Sequence, residues 1–361
     1  MIPVMRPSLP KFSDVEPLLR SIDVSRIYSN HGPLVTELES EYAKYFGIQP
    51  ELVVAVGNAT LALQGLVEIS DVDSWYAPDY TFAATGLAII KASKNLHLCD
   101  VDIVSWKLDP SELDVNSSSI AVMPVMPFGA EVDFSNYVRF ETVVIDAAAS
   151  LGRTLPDISK MPTGWGIVFS LHATKVLGAG EGSIVVCGNR ELAENLRAWI
   201  NFGFKNERIS SLAGTNAKLS EFNAAYGLVS FWNFTQERDK WLEVQQWVSD
   251  LTKNRPWNTF VNQDPAFQPY WIANFENERN RSVIAAALTD AKIQSREWWA
   301  KPLSQQPAFK KYSDKKSLKN SSYLASAHLG LPVYAEIKRE DIQLIVQTID
   351  KAIEISGVKV G

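Results

Sequence analysis

Residues 164–188 read GWGIVFSLHATKVLGAGEGSIVVCG, and they form the most informative stretch of the chain. Its two apolar, β-branched runs, residues 167–169 and 184–186, predict buried strands. The loop between them consists mostly of small residues and carries one lysine, Lys175. An amine held among apolar strands is partly desolvated and becomes a nucleophile toward carbonyl groups, so Lys175 is a candidate Schiff-base lysine. Taken alone, the loop also allows an ordinary solvated lysine.

The chain around this stretch, from about residue 50 to residue 190, alternates short apolar strands with helices. Strands that are continuously apolar, rather than alternating, predict a sheet covered on both faces. The expected fold class is therefore α/β, with a doubly wound and mostly parallel sheet. The predicted strands are residues 52–56, 74–77, 96–99, 120–125, 142–145, 166–170 and 183–187, and the predicted helices are residues 60–69, 81–92 and 190–201.

The length of the chain, 361 residues, favours two domains over one. Apolar residues at helical spacing predict one long helix from residue 220 to about residue 254. We place the boundary inside this helix, near residue 235. The prediction is a large domain over residues 13–235 and a smaller C-terminal α+β domain over residues 236–361, ending in a helix over residues 339–355.

Composition and charge exclude several classes of function. A formal net charge of −6 argues against nucleic acid as a partner. No apolar run reaches the roughly 18 residues of a membrane span, and the four histidines lack the spacing of metal ligands. Cys99 and Cys187 end apolar runs and are expected to be buried free thiols, which predicts a reducing, cytoplasmic location.

The ends of the predicted strands carry the candidate ligand contacts, because ligands of such sheets bind beyond the carboxyl ends of the strands. Ala59 and Thr60 follow the first strand and open a helix that Asn58 can cap. Free N–H groups and the helix dipole at such a position favour a phosphate. Ser170 could donate its hydroxyl to the same phosphate. A simple helix cap and an ordinary strand-end serine are the alternatives.

Two further strand ends extend the pattern. Asp146 ends an apolar strand among alanines, and a buried carboxylate requires a cation or donors, such as a protonated ring nitrogen. Phe82 follows another strand and can stack on a flat ring. Helix capping by Asp146 and core packing by Phe82 are the alternatives. An aldehyde on the same ligand would react with the Lys175 amine. Together, the candidate contacts describe one ligand with a phosphate, a flat basic ring and an aldehyde, which is pyridoxal phosphate.

Four motifs resemble those of the DegT/StrS-type nucleotide-sugar aminotransferases, within the type I fold of pyridoxal-phosphate enzymes. They are YSNHGPLVTELE at residues 28–39, PDYTFAAT at 78–85, FSLHATKVLGAGEG at 169–182 and GTNAKLSE at 214–221. The third is the most specific, and the resemblance covers almost the whole chain. It implies a large domain like that of aspartate aminotransferase.

The resemblance also implies a role for each candidate residue. Lys175 matches the lysine that binds the cofactor and shuttles protons. Asp146 matches the aspartate that pairs with the pyridine nitrogen, and Phe82 matches the residue that stacks on the ring. The phosphate contacts correspond to Ala59, Thr60 and Ser170, and Asn216 corresponds to an asparagine that reaches the phosphate in the neighbouring subunit. A homodimer with composite sites is therefore expected.

The implied reaction is transamination from an amino-acid donor, expected to be glutamate, to C3 or C4 of a nucleotide-linked keto-deoxysugar. Pyridoxamine phosphate is the aminated form of the cofactor, and the product would serve a surface polysaccharide such as O-antigen, or a glycosylated metabolite. A keto-cyclitol acceptor and a non-catalytic regulator that kept the fold are the alternatives. Lys175 argues against the sugar dehydratases, in which a histidine replaces it. A dehydrogenase would need G-x-G-x-x-G after the first strand, where residues 57–60 read GNAT.

Three motifs depart from the family patterns. GNAT replaces the usual SSGT at residues 57–60, Ala149 stands where the family has His or Gln, and Ser304 replaces the His of P-L-H-x-x-P-A-Y. The last two bear on the substrate rather than on the cofactor. Just upstream, Arg296 and Trp298 are candidates for contact with the sugar or its nucleotide, with packing and a surface ion pair as the alternatives.

Overall fold

The computed structural model describes residues 1–113, 120–259, 269–312 and 318–358. Its helices are α1 (Phe12–Ser25), α2 (Pro33–Phe46), α3 (Ala59–Glu68), α4 (Ala83–Lys91), α5 (Arg190–Trp199), α6 (Glu221–Trp232), α7 (Phe234–Thr252), α8 (Glu278–Asp290), α9 (Lys319–Ala327) and α10 (Arg339–Ser356). Its strands are β1 (Val53–Val56), β2 (Ser74–Pro78), β3 (Asn95–Cys99), β4 (Ala121–Val122), β5 (Thr142–Asp146), β6 (Trp165–Ser170), β7 (Ser183–Cys187), β8 (Asn258–Thr259), β9 (Trp271–Asn274) and β10 (His328–Leu331).

Strands β1 to β7 form one sheet in the order β1-β7-β6-β5-β4-β2-β3. The pairs β2/β3, β2/β4, β4/β5 and β5/β6 are parallel, whereas β7 is antiparallel to both β1 and β6. The reversal of β7 follows from its connection, because the loop after β6 returns without the helix that a parallel crossover needs. The predicted α/β class with a mostly parallel sheet is confirmed.

Both faces of the sheet are buried. Val53 and Ala55 of β1 belong to one hydrophobic cluster, together with residues of α1, α2 and α6. Val54 and Val56 belong to a second cluster, together with residues of α3, α4 and α5. Successive residues of a strand point to opposite faces, so helices cover the sheet on both sides. This double cover is the reason why the strands read as continuous apolar runs.

The C-terminal segment has a sheet and a hydrophobic cluster of its own. Strands β10, β9 and β8 form an antiparallel sheet in that order. A third cluster joins this sheet to α7, α8 and α10, through residues such as Val248, Leu288 and Ile345. The division into residues 13–235 and 236–361 stays a prediction, and this separate cluster gives it a physical basis.

Two elements differ from the sequence prediction. The single helix expected over residues 220–254 is two helices, α6 and α7, because Asn233 with ψ of −4° interrupts the helical geometry between them. The strand expected over residues 120–125 is limited to β4, Ala121–Val122. Pro124 cannot donate a backbone hydrogen bond, and beyond it Val125 forms an isolated bridge to Asp146.

Two of the family-like motifs meet at the start of α2. The Glu221 carboxylate, which is buried, accepts hydrogen bonds from the backbone N–H of Leu34 at 2.8 Å and of Val35 at 3.1 Å. The backbone N–H of Glu221 in turn donates to the carbonyl of Tyr28 at 3.0 Å. An acidic group at a helix N-terminus satisfies free N–H groups and favours the helix dipole. These motif residues therefore stabilise the fold.

The free thiol of Cys187 is buried, and burial raises its pKa to about 12. Cys99 is half-buried, and its Sγ lies 3.9 Å from the His97 carbonyl oxygen. In the part of the chain that the structure describes, no helix has the length and hydropathy needed to cross a membrane.

Candidate active site

A cavity of about 800 Å³ opens beyond the carboxyl ends of β1, β2, β5 and β6. It brings together nearly all of the site residues expected from the sequence: Ala59, Thr60, Phe82, Asp146, Ser170 and Lys175. Asn216 is the exception, because it is exposed and does not line this cavity. Residues that are far apart in the chain thus converge at the edge of the sheet where ligands of α/β folds bind.

The start of α3 provides an anion site at one end of the cavity. Asn58 caps this helix, with its Oδ1 accepting a hydrogen bond from the Leu61 N–H at 2.9 Å. Ala59 and Thr60 occupy the first two helical positions, where N–H groups have no acceptor within the helix. Ser170 reaches the same cavity from the end of β6. Free N–H groups, two hydroxyls and the helix dipole together suit a phosphate.

Asp146 provides a buried carboxylate at the end of β5. It is 5 % exposed, and it accepts hydrogen bonds from Thr85 Oγ1 at 2.8 Å and from the Ala148 N–H at 3.2 Å. Burial raises the pKa of Asp146, while these two donors and the charge of Lys175 act in the opposite direction. A carboxylate in this setting is stabilised by a cationic N–H that enters from the cavity.

Phe82 lies at the N-terminal cap of α4 and lines the cavity. Its side chain is 62 % exposed, so core packing does not account for it. An exposed aromatic face beside a buried carboxylate is suited to cover a planar ring.

The loop that carries Lys175 folds back on itself between β6 and β7. The Ala173 N–H donates to the Gly180 carbonyl at 2.8 Å, and the Leu171 N–H donates to the Gly182 carbonyl at 2.9 Å. Gly180 and Gly182 have φ of +88° and +149°, which other residues rarely adopt. The small residues of the motif are therefore needed to place the half-buried Lys175 in the cavity.

Tyr270 is a site residue that the sequence reasoning missed. Lys175 Nζ donates a hydrogen bond to Tyr270 Oη at 3.1 Å, and the Tyr270 ring lines the cavity just before β9. A lone tyrosine more than ninety positions along the chain carries no local signal of this contact. Phe128 and Trp299, which stack with ring centroids 4.1 Å apart, were also missed.

Arg296 and Trp298, the candidates for substrate contact, both line the cavity. The Arg296 guanidinium lies 4.7 Å from the Trp298 ring centroid. Among the described residues, Arg296 forms no ion pair with a carboxylate, and it is the only arginine that lines the cavity. A surface ion pair therefore does not account for its position.

The two departures from the family pattern have different surroundings. Ala149 lines the cavity, as its place in the motif suggested. Ser304 does not line it and binds Asp79 instead: its N–H donates to Asp79 Oδ1 at 2.6 Å and its hydroxyl to Oδ2 at 2.7 Å. Asp79 is fully buried, and burial raises its pKa to about 6. Ser304 thus anchors the C-terminal segment to the end of β2.

The residues present fit pyridoxal phosphate. The start of α3 and Ser170 are suited to bind its phosphate. Phe82 is suited to stack on its ring, and Asp146 is suited to accept a hydrogen bond from its ring nitrogen. The Lys175 amine, which lines the same cavity, is the kind of group that condenses with an aldehyde. The structural observation behind this fit is the buried Asp146 carboxylate, which faces a cavity of suitable size with no cationic N–H of the described residues hydrogen-bonded to it.

Comparisons with known proteins agree with this geometry. Residues 13–350 match the model of the DegT/DnrJ/EryC1/StrS aminotransferase family. The chain is 26 % identical over 366 residues to the dTDP-4-amino-4,6-dideoxy-D-glucose transaminase of Shigella dysenteriae, with 96 % of this chain and 97 % of that protein covered.

Solved structures of similar length superimpose on the chain. DesI, crystallised in the presence of its TDP-sugar product, is 26 % identical with a TM-score of 0.85, covering 99 % of this chain and 95 % of DesI. The sugar aminotransferase CalS13 from Micromonospora echinospora is 22 % identical with a TM-score of 0.83, covering 97 % of this chain and 100 % of CalS13. The second likeness concerns the fold alone.

The Asp79–Ser304 contact predicts a pH-dependent effect of Ser304→Ala. Because the folded-state pKa of Asp79 lies above its ordinary value, stability falls as pH rises through about 6 and Asp79 ionises. The Ser304 hydroxyl offsets part of this loss, since it donates to the charged form. We expect Ser304→Ala to lower the unfolding free energy by roughly 1 to 3 kcal/mol at about pH 8 and by less at about pH 5.

Urea unfolding at the two pH values measures this difference. Ser326→Ala is the matched control, because the Ser326 hydroxyl donates to a backbone carbonyl, that of Tyr323, and to no carboxylate. Equal destabilisation by Ser304→Ala at both pH values would show that the hydroxyl does not act on the charge of Asp79.

Proposed function

The chain belongs to the DegT/DnrJ/EryC1/StrS aminotransferase family, and from that premise we propose that it transfers an amino group from glutamate to C3 or C4 of a nucleotide-linked keto-deoxysugar. Its class, a pyridoxal-phosphate-dependent sugar aminotransferase, follows from the family and from its relatives. The single observation that carries the proposal is the convergence of Lys175, Asp146 and the start of α3 in one cavity.

Each side chain of the cavity then has a chemical task. When bound, pyridoxal phosphate supplies an aldehyde that reacts with amines and a ring that takes up electrons when a Cα–H bond breaks. Asp146 keeps the proton on the ring nitrogen, which makes the ring a better electron acceptor. The Lys175 amine, once displaced by the amino donor, takes the proton from the donor Cα as a general base.

Arg296 supports a phosphorylated acceptor. As the only arginine among the described lining residues, it offers a planar cation at the mouth of the cavity, a group that binds phosphate oxygens in a bidentate manner. Trp298 and Trp299 add aromatic faces that a nucleobase or sugar can contact. A relative is named for a dTDP-sugar and a similar structure was solved with a TDP-sugar. We therefore propose a thymidine-diphosphate sugar as the first acceptor to test.

The product is an amino-deoxysugar on a nucleotide carrier, which a glycosyltransferase could place in a surface polysaccharide such as O-antigen or on a metabolite. We propose a cytoplasmic location, since such precursors are made from soluble metabolites and Cys187 is a free thiol.

A homodimer with shared sites is proposed from the position of Asn216. Asn216 is exposed and does not line the cavity of its own chain, although the neighbouring Ala217 carbonyl accepts a hydrogen bond from the Gly57 N–H at 2.7 Å. Phe202 and Phe222 are also exposed, at 45 % and 46 %. Exposed aromatic residues are enriched at interfaces between proteins. A second copy would cover them and receive Asn216 near its own phosphate.

The reaction is tested by incubating the purified protein with pyridoxal phosphate, glutamate and a panel of nucleotide keto-sugars, and measuring 2-oxoglutarate. We expect release with at least one thymidine-diphosphate keto-sugar. Lys175→Ala removes the amine that binds the cofactor and moves the proton, so turnover should fall about a hundredfold or more, and the visible absorbance of the loaded protein should disappear.

Lys160→Ala is the matched control, because the exposed Lys160 pairs with Asp157 at the surface. Unchanged turnover in Lys175→Ala would rule out the role of this lysine. The panel includes a keto-cyclitol, and 2-oxoglutarate release with that acceptor alone would favour the alternative substrate class.

Arg296→Ala tests the phosphate contact. Loss of one charge-assisted hydrogen bond, worth roughly 1.5 to 3 kcal/mol, should raise the KM for the nucleotide sugar about 10- to 100-fold. The KM for glutamate, which lacks the diphosphate, should change little. Arg20→Ala, at a surface pair with Glu16, is the control. Equal changes in both KM values would contradict a phosphate-specific contact.

Mixed dimers test the role of Asn216. Asn216→Ala alone should weaken cofactor binding about tenfold. A dimer that combines one Lys175→Ala subunit with one Asn216→Ala subunit then has one site with both wild-type residues, if Asn216 acts across the interface. We expect that site to bind cofactor with wild-type affinity. Weakened binding at the Lys175-bearing site would place Asn216 in its own subunit, and a monomeric protein would exclude the shared site.

A further inference from the structure

We propose that Tyr270 is a catalytic residue, whose hydroxyl holds the Lys175 amine in place while that amine takes and returns the substrate proton. The inference rests on the proposed function and adds a residue from the C-terminal segment to the reacting centre. It is carried by one direct contact and by the packing that fixes it.

The contact joins the two reactive atoms. Lys175 Nζ lies 3.1 Å from Tyr270 Oη, within hydrogen-bond distance, and 5.6 Å from the centroid of the tyrosine ring. No other described side chain has a recorded hydrogen bond to this amine. A lysine has four rotatable side-chain bonds, so a single fixed partner at its end restricts the amine to one region of the cavity.

The packing around Tyr270 holds its ring in place. Its ring meets Phe128 edge-on at a centroid distance of 5.6 Å and Trp298 edge-on at 5.3 Å. The preceding residue, Pro269, lies against Gly129, where an added Cβ would come within 3.1 Å of the proline ring. Two aromatic neighbours and a close backbone approach therefore orient the hydroxyl toward Lys175.

Ala149 leaves room for this arrangement. Ala149, Lys175, Pro269 and Tyr270 line one small cavity beside the main one. A long polar side chain at position 149 would extend into this shared space and compete with Tyr270. The small residue at position 149 and the tyrosine at position 270 are thus compatible as a pair, and Tyr270 supplies the polar group on this side of the amine.

The hydroxyl is suited to the proton-transfer step. When the amino donor displaces Lys175 from the cofactor, the released amine needs a hydrogen-bond partner that keeps it beside the donor Cα. Tyr270 Oη can accept from the ammonium and donate to the neutral amine, so it serves the amine before and after it takes the proton. A precise position of the base matters because small displacements slow proton transfer strongly.

Tyr270→Phe tests this role, since it removes the hydroxyl and keeps the ring. We expect kcat to fall about 10- to 100-fold, with the KM for the nucleotide sugar unchanged. The rate constants of both half-reactions, followed by absorbance in stopped flow, should fall by the same factor. A readout independent of turnover is the rate at which visible absorbance develops when pyridoxal phosphate is added to cofactor-free protein. This rate should fall several-fold, because the free amine is no longer held.

The controls separate this role from a structural one. Tyr323→Phe removes a phenol that hydrogen-bonds Asn274 elsewhere in the fold, and it should leave both rates unchanged. Tyr270→His keeps a ring with a hydrogen-bonding atom and should recover part of the lost rate. Wild-type kcat and wild-type absorbance kinetics in Tyr270→Phe would overturn the inference and leave the proposed function intact. A wild-type protein that develops no visible absorbance would contradict the proposed function itself.

Discussion

Asp146 places a nearly buried carboxylate at the end of β5, the central strand of the large sheet. Burial alone disfavours its charge, and the hydrogen bonds from Thr85 and Ala148 compensate only in part. A ring N–H that enters from the cavity would supply the missing positive partner. Under the proposed function, cofactor binding would therefore recover the free-energy cost of burying this carboxylate.

The sheet makes this arrangement possible. Its parallel strands end at one edge, which brings Phe82, Asp146 and Ser170 to one cavity from three separate parts of the chain. The reversed strand β7 gives the return path for the loop that holds Lys175. The C-terminal segment also contributes to the cavity: Tyr270 contacts the Lys175 amine, and the exposed Arg296 is a further lining residue. Tyr270 packs against the same hydrophobic cluster as Leu171 and Leu177 of the loop that carries Lys175, so this part of the C-terminal segment shares the core of the large sheet.

The sequence predicted those features that have local signals. Apolar runs indicate the strands of the sheet. The side chains that follow these strands indicate that Asp146, Phe82 and Lys175 lie close together. The sequence does not predict the contact of Tyr270 with Lys175 or that of Ser304 with Asp79, because each contact joins positions far apart in the chain. Asp79 and Ser304 lie in motifs, but a motif does not show which residues pair with each other. The sequence does not predict the break between α6 and α7 at Asn233, because the helical spacing of apolar residues continues across it. Asn216 lies outside the cavity of its own chain, which is why its role is proposed across a dimer interface.

We propose that Lys175 holds pyridoxal phosphate covalently in a site that Asp146 completes. Reduction of the cofactor-loaded protein with borohydride, followed by proteolysis and mass spectrometry of the peptides, tests this directly. We expect one phosphopyridoxyl group per chain, located on the peptide that contains Lys175. A modification located on another lysine, or none after reduction, would contradict it.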